Sequence, residues 1–158
     1  MTMKSGGQME NKLFNSLFEM QLRILLLLSL APPEPITSDM IVAVDFITIY
    51  GQEFHISNES LHGNNRFKYS EIANRRLLVQ ESLRELVLDG LICVDLKNGY
   101  RYSITAPGRD YAQSLCSTYA EKYRKTAEVA FEYCEDKSEK DLLREFQQRS
   151  VAITQEDS

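Results

Sequence analysis

Asp45 is the one carboxylate in Met40–Tyr50, a run that is otherwise apolar except for Thr48. A helix of that composition has no wide solvent face, and a lone buried carboxylate costs several kcal/mol. It needs a cation or a route to water. The next helical pattern offers a cation. Ile72, Arg76, Val79, Leu83 and Leu86 step by four, three, four and three residues, so Arg76 falls on the inward stripe and Arg75 points elsewhere. The expected arrangement is an Asp45–Arg76 ion pair joining the second and third helices. The alternative is that Arg76 only snorkels to the surface.

Both histidines lie in the connection Gly51–Lys68: His55, and His62 within Ser60-Leu61-His62-Gly63-Asn64-Asn65. A catalytic imidazole needs a nucleophile and an orienting acid. None is evident nearby in sequence, so His62 is expected to be structural and bonded to backbone. The three cysteines, Cys93, Cys116 and Cys134, are an odd number and argue against a disulfide framework. Cys116 and Cys134 are expected on one helix, about five turns or roughly 27 Å apart, sharing a face but too far apart to bond. No Cys-x-x-Cys or His-x-x-x-His spacing suggests zinc. A phosphate loop of the Gly-x-x-x-x-Gly-Lys-Ser/Thr type is absent, so ATP chemistry would belong to a partner. Catalytic residues, cofactor and metal are all expected to be none, and a reducing cytoplasm is the simplest location.

The cations are poorly placed for a duplex. Net charge is −5, whereas a stand-alone DNA binder normally carries a basic surface. Along Lys68–Asp89, Lys68, Arg75, Arg76 and Arg84 are offset by Glu71, Glu81, Glu85 and Asp89. Lys97 and Arg101 are the only bases of the following hairpin, and they are the possible DNA contacts if the chain reads DNA.

The elements that position these residues centre on Tyr69–Thr105. Ile72, Val79, Leu83 and Leu86 give a helix that Gly90 stops; Leu91–Leu96 and Tyr100–Thr105 are strands joined at Lys97-Asn98-Gly99. Helix, hairpin and Ile104-Thr105-x-x-Gly108 together read as a winged helix-turn-helix domain, in a fold that is mainly α with a small β-hairpin and a long C-terminal helix. That fold serves DNA readers and protein docking modules alike. The connection Gly51–Lys68 is much longer than the three or four residues of a DNA-reading helix-turn-helix, which makes it a contact surface or a lid over the core.

The first helix is expected over Asn11–Ala31, with Phe14, Phe18, Leu22, Leu25 and Leu26 inward and Glu19–Arg23 paired outside. Its apolar run Ile24–Leu30 is far short of the about twenty residues a membrane span needs. Pro32, Pro33 and Pro35 end it, and Thr37 or Ser38 caps the second helix. Thr105 caps a long last helix whose stripe runs Ala112, Cys116, Tyr119, Tyr123, Ala127, Ala130 or Phe131, and Cys134. Glu135–Ser138 breaks it before a short amphipathic helix, Lys140–Arg149. The expected organisation is a flexible tail (1–10), the winged domain (11–115), a helical extension (106–149) and a disordered tail (150–158).

Asp45-Phe46-Ile47-Thr48-Ile49, then Glu59-Ser60-Leu61-His62-Gly63, then Glu71-Ile72-x-x-Arg75-Arg76-x-Leu78, then Leu83-x-x-Leu86-x-x-x-Gly90-Leu91 resembles the middle component of bacterial ABC three-component systems, among them the Lamassu type of antiphage defence. The resemblance covers about residues 15 to 115, and its most specific part is the Ser-Leu-His-Gly loop between the acid-bearing apolar helix and the Arg-Arg helix. It implies a non-enzymatic adaptor that bridges a chromosome-maintenance-like (SMC/ABC) coiled-coil ATPase and an effector subunit, with nuclease the expected effector. DNA would be met only indirectly or within the complex. The expected partner interface is Ser60, Leu61, His62, Gly63 and Asn64 of the inserted loop with Tyr119, Tyr123 and Phe131 of the last helix. The competing reading is a DNA-binding winged-helix transcription regulator.

Overall fold

The computed structural model describes the backbone of residues 4–63 and 67–156 and the side chains of residues 17–63 and 67–153. The chain runs α1 (Lys4–Leu30), β1 (Ile36–Thr37), α2 (Ser38–Ile49), a 3-10 turn (Lys68–Glu71), α3 (Ile72–Leu88), β2 (Ile92–Asp95), β3 (Arg101–Ile104), α4 (Ala106–Ser114), α5 (Thr118–Cys134) and α6 (Glu139–Glu156). The fold is mainly helical with a small antiparallel sheet, as expected. The strand order is β1-β3-β2, with Ile92 opposite Ile104 and Val94 opposite Tyr102. Strand β1, which pairs Ile36 with Tyr102, adds a third strand to the expected hairpin.

Helix α2 is central because it has no polar face to offer water. Every residue from Ile41 to Ile49 is buried, and α1, α3, α5 and α6 pack around it. Thr37 starts it, its hydroxyl accepting from the Met40 N–H at 3.2 Å. Helix α3 stops at Gly90, whose φ of +73° suits glycine, and the hairpin turns at Gly99 with φ of +81°. Thr105 caps α4 through the Gly108 N–H at 3.1 Å. Gly108 is there for closeness: a Cβ on it would lie 1.9 Å from the Leu91 carbonyl oxygen.

The inserted segment lies down on the core. Phe54 is 4 % exposed, with its ring 6.1 Å from Phe46 and 5.7 Å from Phe146. Tyr69 donates to Glu53 at 2.9 Å, and the Arg149 guanidinium of α6 sits 4.5 Å over the Phe54 ring. These contacts lay the two ends of the segment, at Phe54 and at Tyr69, over the aromatic core.

Several expectations need correction. Helix α1 begins at Lys4 rather than near Asn11, because extending a seeded helix adds one hydrogen bond per residue fixed. Leu25 and Leu26 are buried as expected, but Met20, Arg23, Ile24 and Leu27 are buried with them, Leu22 is half-buried and Phe18 is 47 % exposed. The side chain of Phe14 lies outside the described residues. The expected long last helix is broken at Leu115–Ser117, and the Ser117 hydroxyl caps α5 through the Ala120 N–H at 3.1 Å. Cys116 therefore lies exposed in the break and Cys134 buried in α5, on different elements. Helix α6 continues through the expected disordered tail to Glu156, since Ile153 extends the Leu142–Phe146–Arg149 face and packs on the core. Residues 1–3 and 157–158 of the two tails lie outside the described residues. No helix among those described is long and apolar enough to cross a membrane.

Candidate functional site

Asp45 is fully buried in the middle of α2, and its cation comes from α1. The Arg23 Nε donates to Asp45 Oδ1 at 2.9 Å and its Nη2 to Oδ2 at 3.1 Å, a two-pronged pair with Arg23 only 5 % exposed. Arg75 Nη1 of α3 adds a bond to Oδ2 at 3.3 Å, and the Tyr123 hydroxyl of α5 donates to Oδ1 at 2.7 Å. One carboxylate thus ties four helices together.

The expected Asp45–Arg76 pair does not form. Arg76 instead makes an exposed two-pronged pair with Asp39 at 2.9 and 3.1 Å. The reason is a face ambiguity. Val79 and Leu86 are common to a stripe through Arg76 and Leu83 and to one through Arg75 and Ser82, and the helix is turned so that Arg75 faces inward. Arg23 also departs from the solvent position expected of it, since an i, i+4 Glu–Arg pair usually belongs outside. Glu19 is indeed 3.6 Å from Arg23 Nη1, but only the Glu19 end is wet. The signal in the sequence is position: Arg23 abuts the apolar run and sits between Met20 and Leu27, the deepest residues of α1.

Electrostatics hold this node charged. Burial by itself would raise the Asp45 carboxyl, but the Arg23 and Arg75 guanidiniums and the hydrogen bonds from Arg23 and Tyr123 bring it down to about 2. Burial would lower Arg23, yet the Asp45 charge and its hydrogen bonds hold the guanidinium above its ordinary value. Burial and the adjacent Asp45 charge push the Tyr123 phenol well up, so it remains a donor.

Above the node opens a cleft of about 350 Å³, lined by Arg23, Arg75, Glu19, Glu71, Asn74 and His62 with Met20 and Leu78. His62 bonds to the Tyr119 hydroxyl at 2.7 Å, not to backbone as expected, because its loop brings it against α5 rather than along its own chain. Glu19 lies 3.6 Å from the same ring nitrogen. Burial and the nearby Arg23 charge lower the His62 pKa, and burial lifts Tyr119 to about 12, so a neutral imidazole meets a neutral phenol. That contact fastens the loop to α5. It brings no serine or cysteine to His62 among the described residues, and no group of three or more potential metal ligands forms there.

The expected interface residues separate. His62 and Tyr119 meet each other. Tyr123 is 0 % exposed, so it cannot face a partner; its ring is drawn inside to reach Asp45. Ser60 is half-buried, Leu61 packs against the core, and Gly63 turns the loop at φ of +73°. Asn64 lies outside the described residues. Phe131 is half-buried beside a different groove, at the far end of α5. Lys97 and Arg101 are exposed on the hairpin, with Arg101 Nε held to the Asn98 carbonyl at 3.4 Å. His55 adopts a left-handed φ of +58° in the inserted segment, a conformation that sequence reasoning misses.

The outward side of α3 and the hairpin carries large apolar residues beside the exposed cations Arg76, Arg84, Lys97 and Arg101. Leu77 is 65 % exposed, Leu88 71 %, Leu96 65 % and Tyr100 67 %. Searches of curated proteins and of solved structures found no match. A family model described as ABC-three component (ABC-3C) system Middle Component 2 matches residues 13–156, nearly the whole chain. With that coverage, the chain belongs to the ABC-three component system Middle Component 2 family.

Proposed function

We propose that this chain is a non-catalytic, cytoplasmic adaptor with a winged helix-turn-helix body, bridging a coiled-coil SMC-like ABC ATPase and an effector subunit, with nuclease the expected effector. The setting proposed is an antiphage defence complex of the Lamassu type. Membership in a three-component family supplies the expectation of partner subunits. The observation that carries the reading is the character of α3 and the hairpin: exposed leucines and a tyrosine, with Arg76 already neutralised by Asp39. Phosphate recognition needs unneutralised Lys and Arg along the contacting surface. Exposed apolar residues concentrated on one part of a chain instead favour a protein contact.

The test is co-purification with a coiled-coil ABC ATPase subunit and an effector subunit co-expressed as the expected partners. Changing Leu77→Glu and Leu96→Glu together should abolish capture of at least one subunit, while Lys97→Ala with Arg101→Ala should leave capture intact. Binding of the isolated chain to random duplex DNA at low and moderate salt is the counter-test. Tight, steeply salt-dependent binding that the Lys97 and Arg101 changes remove would replace the adaptor with a transcription regulator.

A further inference from the structure

A second groove, of about 440 Å³, opens where α1 and α5 end beside β1 and the start of α2. Leu30, Pro32, Ile36, Met40 and Phe131 line it, together with Cys134, which is 5 % exposed. Its apolar lining is already formed, because Ile36 is fixed in the sheet and Met40 in the capped first turn of α2. Pro32 restricts the backbone on the remaining side.

The negative character of the groove comes from carboxylates at its rim. Leu30 is the last residue of α1 and Cys134 the last of α5, and each of these helix ends already holds a cation: Arg109 Nη1 donates to the Ser29 carbonyl at 3.1 Å, and Lys137 Nζ to that of Tyr133. Glu132 and Glu135 also line the groove, and neither has an ion-pair partner among the described residues. Lys137 is the lining cation, but its charge is turned back on its own helix end. Its Nζ donates to the Tyr133 carbonyl at 2.9 Å, sits 4.2 Å from the Tyr133 ring centroid and lies 3.6 Å from Asp136.

We propose that this groove docks a basic amphipathic helix of a partner subunit, with two apolar side chains one turn apart entering between Met40 and Phe131 and flanking Lys or Arg residues facing Glu132 and Glu135. Helix-in-groove recognition uses anchors at that spacing, and the flanking cations meet the Glu132 and Glu135 carboxylates, which no ion pair among the described residues neutralises. A second copy of the chain is a poor occupant, because it brings a net charge of −5 to an acidic rim. The existence of a partner rests on the adaptor reading; the chemistry of the groove does not.

The experiment uses the full chain and two synthetic amphipathic peptides with identical leucine anchors, one flanked by lysines and one by glutamates, followed by fluorescence anisotropy. The lysine-flanked peptide should bind at least about tenfold more tightly, with an advantage that shrinks at high salt. Glu132→Lys with Glu135→Lys, both exposed positions, should erase that preference without changing the circular dichroism spectrum. Met40→Trp, which fills the groove, should weaken the lysine-flanked peptide by a similar factor. Equal binding of the two peptides, or a preference that survives both substitutions, overturns the proposal. So does a concentration-dependent dimer that Met40→Trp dissolves, since a second copy would then be the occupant. If the peptides discriminate but the chain captures neither ATPase nor effector, the groove stands and the adaptor reading falls.

Discussion

Replacing Asp45 with asparagine keeps the shape of the side chain and deletes the charge on which four helices converge. The expected loss can be bounded from two sides. Moving a carboxyl from its ordinary 3.8 to about 2 on folding corresponds to roughly 2–3 kcal/mol of stability. The neutral amide would also leave Arg23 buried beside Arg75 with no anion between them, and breaking a buried pair on one side costs about 3–5 kcal/mol. The prediction is therefore a loss of about 2–5 kcal/mol in urea unfolding followed by far-UV circular dichroism. For a chain of this length that is roughly a 4–20 °C fall in melting temperature. Asp45→Leu combined with Arg23→Met and Tyr123→Phe should recover much of the loss, because it removes the buried pair and the hydroxyl that donates to it, leaving Arg75 to redirect to the cleft. The exposed Arg76→Ala should cost no more than about 1 kcal/mol. An Asp45→Asn chain within about 0.5 kcal/mol of wild type, or Arg76→Ala as damaging as Arg23→Ala, would refute the assignment of Arg23 as the buried partner.

Acid titration should expose the same node. Because folding depresses the Asp45 pKa, its contribution is full above about pH 4 and is lost as pH falls towards 2. His62 is depressed as well, so the unfolded chain takes up a proton first; stability should drop as pH falls below about 6.5, and His62→Gln should remove that part of the dependence in denaturation midpoints measured at about pH 7 and 5. Gly108→Ala places a Cβ against the Leu91 carbonyl and should destabilise by about 3 kcal/mol or more. Gly90→Ala meets open space and bears only the positive φ, so thermal melts should register about 1–2 kcal/mol. Similar losses for the two glycines would contradict the close approach.

What can be read from the chain is governed by how many structures each local pattern permits. Met40–Tyr50 admits one reading, since a helix apolar on all sides must be enclosed, and α2 is buried along Ile41–Ile49. Gly90, Asn98-Gly99 and Thr105 are local chemistry, and the helix stop, the turn and the cap all form there. Register about a helix axis is less determined. Stripes through Arg75 or Arg76 share Val79 and Leu86, and it is the packing of α3 against α1 and α2 that chooses between them. The break at Leu115–Ser117 is hidden for a related reason. Ala112 and Ala120 are both inward, so the apolar period carries on across a gap that Ser117 in fact caps.

The misassigned arginine bears on function as well as on stability. Had Arg76 been the buried partner, the outward side of α3 would have lost its nearest cation to the core and the weakness of that side for DNA would have been a by-product of folding. Arg76 is instead at the surface, 45 % exposed in its side chain, and is still unavailable to phosphate because Asp39, in the first turn of α2, holds both prongs of its guanidinium. Releasing it is thus an experiment on recognition rather than on the core. Asp39→Asn should free one fixed cation on α3 at a stability cost of no more than about 1 kcal/mol. On a protein-docking surface that change leaves duplex affinity negligible. A rise of more than about tenfold in duplex binding, with a steeper salt dependence, would mean that the ion pair masks a DNA reader.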